Sequence, residues 1–107
     1  MQDFHKDYDI LITPTVAAPA FPADRTYPAD FEEFSNRRAW IPFTSLFNIT
    51  QQPAISITVG LTRAGLPIGL HIVGPRRGDA AVLRAALAIE AALEFSRRPS
   101  LRPLETN

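Results

Sequence analysis

The sequence contains no cysteine, so disulfide bonds, thiolate zinc sites and a cysteine nucleophile are excluded for its 107 residues. It also lacks net charge, because eleven basic residues balance eleven acidic ones. A chain without excess positive charge has no long-range field to attract phosphate, so we expect no nucleic-acid partner. The three arginine doublets lie outside any basic run and indicate solvated faces or chain ends: Arg37-Arg38, Arg76-Arg77 and Arg97-Arg98.

No apolar run approaches the ~20 residues of a membrane-spanning helix, and residues 1–9 are too charged for a signal peptide. We therefore expect a cytoplasmic protein without a membrane partner. The apolar fraction of 46% and the charged fraction of 21% are typical of a globular protein. The length fits one domain.

The first half of the chain predicts one strand and two helices. Residues Ile10 to Thr13 form a short apolar and β-branched run before Pro14, which predicts a strand buried on both faces. Residues 14–30 hold four prolines and predict a long, ordered connection. Asp30, followed by acidic residues, predicts a helix start that Pro42 ends, and residues 43–47 predict a second short helix.

The second half predicts a hairpin and a long helix. Apolar residues alternate along residues 55–59 and 68–73, and the intervening Arg63-Ala64-Gly65 is typical of a turn with positive φ. Gly69 would allow a close backbone approach. After Gly78-Asp79 the helix carries one apolar stripe, formed by Val82, Ala86, Ile89 and Leu93.

The predicted order is β–loop–α–β–β–α. It indicates an α+β layer (α/β in the broad sense) with a mixed sheet of about three strands and helices packed on it. Residues 1–107 would form a single partial domain with flexible ends at 1–7 and 99–107. A first strand buried on both faces needs neighbours on both sides, so the layout indicates part of a larger sheet.

The sequence contains no convincing catalytic set. No serine lies in a G-x-S-x-G elbow, and no glycine pattern matches a dinucleotide or P-loop site, so we predict no cofactor. His71 is interpreted as a packed strand histidine, and a small enzyme that uses it is the least favoured hypothesis. Asp3, His5, Asp7 and Asp9 would share one side of an extended chain, but we interpret them as a charged chain end and predict no metal site.

A lining for a small-molecule pocket is the clearest functional pattern. Polar side chains at residues 44, 48 and 50–52 are flanked by three aromatic residues, and pockets combine apolar walls with a few fixed polar groups. Helix capping and strand-start hydrogen bonds are an equally good interpretation of Asn48 and Thr50. The candidate substrate-binding residues are Trp40, Phe43, Thr44, Phe47 and Asn48.

Several segments together resemble the C-terminal portion of the amidase signature family. They are "YDILITPT", "WIPFTSLFNITQQPAISITVG", "GLPIGLHIVGP" and the alanine-rich helix after Asp79. The resemblance implies hydrolysis of amide carbon–nitrogen bonds by a serine, a second serine in a cis peptide and a lysine, all upstream of the region resembled. No catalytic residue is therefore carried over, and the chain alone is expected to be inactive. Its implied role is pocket lining and scaffold.

The resemblance implies a small-molecule amide substrate and, as partners, a second copy or an upstream amidase fragment. Two departures from the family pattern matter. Gln51 stands where family members often have glycine, and apolar Ile41 replaces an acidic residue of the glutamine-dependent transamidating branch, which fits less well. The competing hypothesis is a free-standing, non-enzymatic module that binds a ligand or a partner.

Overall fold

The computed structural model describes residues 1–32 and 38–95. Along the chain lie α1 (Phe4–Asp7), β1 (Leu11–Pro14), a 3₁₀ turn (Ala29–Phe31), α2 (Ser45–Thr50), β2 (Ala54–Leu61), β3 (Pro67–Val73) and α3 (Asp79–Leu93). The three strands form one sheet in the order β1-β3-β2, and both pairs are antiparallel. The predicted α+β class and three strands are confirmed, but the sheet is not mixed. β1 and β2 run in the same direction, but they do not pair with each other because β3 lies between them.

The prediction that β1 is buried on both faces is wrong for this chain. β1 pairs with β3 on one side and forms an edge of the sheet, where partly buried and exposed positions alternate. The Ile12 side chain is 47% exposed. β1 also includes Pro14, which pairs with Leu70 as the last residue of the strand. An edge strand tolerates proline because one side of it needs no backbone donor.

The predicted hairpin is confirmed. β2 and β3 pair from Ala54 opposite Val73 to Leu61 opposite Pro67, and Gly65 in the connecting turn has φ +80°. Gly69 is the point of close approach: a Cβ there would lie 2.6 Å from Thr15 Oγ1 and 2.8 Å from Ser56 Oγ. Those two hydroxyls form a 2.6 Å hydrogen bond across the glycine.

The core lies between this hairpin and α3. Ile57 of β2 and Ile72 of β3 pack against Val82 and Ala86 of α3, and all four are buried. The predicted stripe on α3 is therefore confirmed over its first half, and Ile89 extends it as a partly buried residue. Leu93, the predicted fourth member, is about half exposed. Gly78 precedes the first helical residue, as the sequence indicates.

The predicted helix start at Asp30 is wrong, because Asp30 is the middle residue of the 3₁₀ turn, which Pro28 precedes. Its expected continuation falls partly on residues 33–37, which lie outside the described residues, and residues 38–40 form a turn. The long connection packs on that turn: the rings of Phe21 and Trp40 meet edge to face with centroids 5.0 Å apart, and Ala17 N donates to Trp40 O at 2.8 Å. The connection thus covers one side of Trp40.

The second short helix forms, but it begins and ends later than predicted. α2 covers residues 45–50, so Asn48 and Thr50 are helical and do not lie in a turn. At the N-terminal end, the extended arrangement considered for residues 3–9 is absent, because residues 4–7 form a helical turn. The expected flexible end at 99–107 lies outside the described residues. Within the described parts of the chain, no helix is both long and apolar enough to cross a membrane.

Candidate functional site

A cleft of about 530 Å³ opens beside the C-terminal end of α2. One wall is Ile49 and Thr50 of α2, followed by Gln51 and Gln52. Pro75 and Arg76, which connect β3 to α3, also line the cleft. Met1, Gln2 and His5 close the remaining side. This volume lies in the range of small-molecule sites, ~300–1,000 Å³.

The Gln52 side chain fixes the wall of the cleft. It is buried, and its Nε2 lies 2.9 Å from Gly74 O, to which it donates, and 2.9 Å from His5 Nε2. Its Oε1 accepts a hydrogen bond of 2.8 Å from the Thr50 hydroxyl. His5 Nδ1 lies 3.1 Å from Tyr8 O, so donation from Nδ1 leaves Nε2 free to accept from the amide. The network ties α1, α2 and the end of β3 together.

Gln51 supplies the exposed polar edge of the same wall. It ends α2 in the left-handed region, with φ 56° and ψ 40°, and its N–H donates to Phe47 O. Glycine is the residue that adopts this conformation without steric cost, so the glycine that the family resemblance implies here would suit the backbone better. The Gln51 side chain compensates in part, since its Oε1 accepts a 2.8 Å hydrogen bond from Arg76 Nη2.

The five predicted substrate-binding residues lie outside this cleft. Phe47 is 5% exposed and packs its ring 5.6 Å from the His71 ring, while Asn48 is exposed on another side of α2. Thr44 precedes α2, and Trp40 packs on Phe21 as described above. Phe43 is partly buried. Contact of these residues with substrate therefore stays a prediction, whereas the three residues that follow Ile49 do line a cleft.

His71 lies where the sequence places it, packed in β3 between its neighbours Thr13 of β1 and Ser56 of β2. Its Nδ1 is 3.2 Å from Thr13 Oγ1, and burial lowers its pKa from the usual 6.5 because the charged imidazolium would lose hydration. The interpretation as a packed, hydrogen-bonded histidine is confirmed.

In residues 1–32 and 38–95 no serine hydroxyl bonds a basic side chain, and the Thr13–His71 contact joins a threonine, not a serine, to an imidazole. The Ser45 hydroxyl donates to Ile41 O, and the Ser56 hydroxyl bonds Thr15. Lys6 pairs with Asp3 at 2.6 Å on an exposed surface. This part of the chain therefore offers a cleft but no serine activated by a base. The sequence did not indicate that His5, Ile49 and Arg76 line one cleft. The only feature that drew attention to any of them was the Arg76-Arg77 doublet.

One protein family has both this fold and a segment like the amide-rich one at the end of α2. The family model for amidases matches residues 1–83. The chain therefore belongs to the amidase family. This confirms the resemblance carried by the strand, turn and hairpin motifs.

Two relatives show the range of the similarity. The chain is 41% identical over 91 residues to an acylamidase of Rhodococcus erythropolis, covering 82% of this chain and 19% of the relative. It is 39% identical over 98 residues to a glutamyl-tRNA(Gln) amidotransferase subunit of Halothermothrix orenii, covering 90% of this chain and 19% of the relative. The two identities are close, so they do not separate the hydrolytic branch from the transamidating one.

Solved structures agree with this placement. A bacterial aryl acylamidase of the amidase signature family superposes with a TM-score of 0.71 at 32% identity, covering 86% of this chain and 20% of that one. A 6-aminohexanoate cyclic dimer hydrolase superposes with a TM-score of 0.70 at 30% identity, covering 92% of this chain and 22% of that one. The chain spans about a fifth of the length of the proteins it matches.

Proposed function

We propose that this chain is the C-terminal segment of a hydrolase that cleaves the carbon–nitrogen bond of small-molecule amides. It contributes scaffold and pocket lining, and the two serines and the lysine implied by the family resemblance lie in the upstream part of the enzyme. The observation that carries this proposal is the family match over residues 1–83 in a chain that covers about a fifth of its relatives. The cytoplasm stays the predicted compartment.

Trp40, Phe43, Thr44, Phe47 and Asn48 are the residues we propose for the substrate side of the pocket. They lie on one continuous segment that leads from the covered turn into α2. Asn48 is the exposed polar member, and we expect it to contact the substrate directly. Phe47 is packed on His71, so its proposed role is to hold α2 in place behind that contact.

The proposed partner is the upstream part of an amidase or, for the isolated chain, a second copy. Among the described strands, β2 pairs only with β3 and leaves its other edge unpaired. On α3, Leu83 is 60% exposed and Leu87 is 68% exposed, one turn apart. Unpaired strand edges and exposed apolar patches are surfaces that proteins normally cover.

The non-enzymatic alternative is not favoured. Both relatives described above carry the names of enzymes or enzyme subunits. A free-standing module would become the better hypothesis if the isolated chain bound a carboxamide through the Trp40–Asn48 segment without any upstream part.

Two assays test the proposal. The purified chain is incubated with aliphatic and aryl amides, and we expect no turnover because the described residues hold no serine paired with a base. The chain is then mixed with an upstream amidase fragment that lacks the matching segment, and we expect amide hydrolysis to appear. Turnover by the chain alone that disappears on mutation of one of its own residues would refute the proposal.

A further inference from the structure

We propose that the cleft beside α2 binds an organic carboxylate that carries a short apolar chain. The cleft wall holds one guanidinium, Arg76, and none of the described residues that line it is acidic. An anionic group is therefore attracted without a competing carboxylate. The inference concerns the isolated chain and does not depend on hydrolysis.

The geometry of Arg76 supports a planar ligand. A guanidinium has five N–H donors in a rigid fork, and Gln51 Oε1 accepts from one of its terminal nitrogens, Nη2. This hydrogen bond holds the Arg76 guanidinium at the cleft wall. Its remaining N–H groups are left to bind a carboxylate, which arginine does in bidentate geometry. In the described part of the chain, the Gln51 amide nitrogen makes no hydrogen bond, so it is a second donor.

The rest of the cleft selects for an apolar tail. Ile49, which is 80% exposed, and Pro75 both line the cleft. The Gln52 amide cannot serve the ligand, because its donors and acceptor are engaged with Gly74, His5 and Thr50. The cleft therefore offers two polar donors at one edge and aliphatic surface beside them, which matches a short fatty acid better than inorganic phosphate.

The test is a titration of the ¹⁵N-labelled chain with hexanoate, hexanamide and inorganic phosphate at constant ionic strength. We expect saturable shifts for hexanoate at the amides of residues 49–52 and 76–77. Hexanamide has the same length without the charge, and we expect its affinity to be lower by about tenfold or more, since a charge-assisted bond is lost. Equal binding of hexanamide or phosphate would overturn the assignment.

Variants of the two arginines locate the site. Arg76→Gln is expected to weaken hexanoate binding by about tenfold or more. Arg77→Gln removes the same charge from the neighbouring exposed residue, which does not line the cleft, and is expected to leave binding unchanged. Gln51→Glu places a carboxylate against Arg76 and is expected to abolish binding without loss of folding. Retained binding in both Arg76→Gln and Gln51→Glu, or equal loss in Arg77→Gln, would refute the proposal.

Discussion

The side-chain amide of Gln52 donates to the backbone carbonyl of Gly74 at 2.9 Å and so ties the segment between α2 and β2 to the end of β3. Gly74 N returns a 3.0 Å hydrogen bond to the carbonyl of Pro53, so the connection is reciprocal. Because Gln52 is buried, each of its polar atoms has to find a partner inside the protein, and each does. These hydrogen bonds hold the Gln52 side chain in one position in the cleft wall.

Replacement of Gln52 by Ala is therefore expected to destabilise the fold. The change leaves Gly74 O without its side-chain donor in a buried site, at a cost of about 1–3 kcal/mol in the free energy of unfolding. Urea unfolding followed by far-UV circular dichroism measures it. Gln2→Ala removes the same side chain from an exposed position and should change stability by less than about 0.5 kcal/mol. Equal effects would show that the buried network contributes nothing.

Gly69→Ala tests the close approach between β3 and the hydroxyls of Thr15 and Ser56. The added Cβ would lie 2.6 Å and 2.8 Å from their oxygens, so the strands must shift or the hydroxyl pair must break. We expect a loss of about 1–3 kcal/mol in the same unfolding assay. Gly60→Ala is the control, because a Cβ at Gly60 meets no atom within 4 Å. Similar losses in both variants would contradict the account of this contact.

Gln51→Gly is expected to raise stability. Glycine removes the steric cost of the left-handed conformation at the end of α2, a gain of about 1 kcal/mol that the lost hydrogen bond to Arg76 reduces in part. Asn48→Gly, inside the same helix, should lower stability by a few tenths of a kcal/mol, because glycine is a weaker helix former than asparagine. Thermal unfolding of the two variants should therefore shift in opposite directions, and shifts of the same sign would count against the assigned helix end.

Burial of His71 predicts a pH dependence of stability. Its pKa is lowered in the folded chain, so the unfolded chain binds more protons as the pH falls through 6.5. The free energy of unfolding should therefore decrease from pH 7.5 to pH 5.5, and part of that decrease should vanish in His71→Gln. Urea midpoints across this range measure it. Parallel curves for the two proteins, or an imidazole NMR titration of His71 above 6.5, would contradict the prediction.

The sequence predicts elements with local signals and misses relationships between distant segments. The hairpin and α3 are confirmed, because Gly65 sets the turn and the spacing of Val82 and Ala86 sets the buried helix face. The two-sided burial of β1 is wrong, since an apolar run does not reveal how many strands flank it. The helix start at Asp30 is wrong because an acidic residue after Pro28 fits a 3₁₀ turn equally well.

The cleft could be predicted only in part. The sequence shows residues 50–52 as a cluster of polar side chains that could line a pocket, and these residues do line the cleft. His5 lies 47 residues before Gln52 and Arg76 lies 25 residues after Gln51. Only the folded arrangement of α1 and the β3–α3 connection brings them to the same cleft. The proposed substrate-side residues, 40, 43, 44, 47 and 48, still await a test with ligand.

Transfer of activity in a chimera tests whether this chain can serve as the C-terminal segment of an amide hydrolase. The matching segment of the Rhodococcus erythropolis acylamidase, 41% identical to this chain, is replaced by this chain, and kcat/KM is measured on the acyl amide that the parent enzyme cleaves. We expect a folded chimera with measurable amide hydrolysis, lost when the upstream serine that the family resemblance implies as nucleophile is replaced by alanine. A chimera that folds like its parent but shows no hydrolysis above that alanine variant would contradict this expectation.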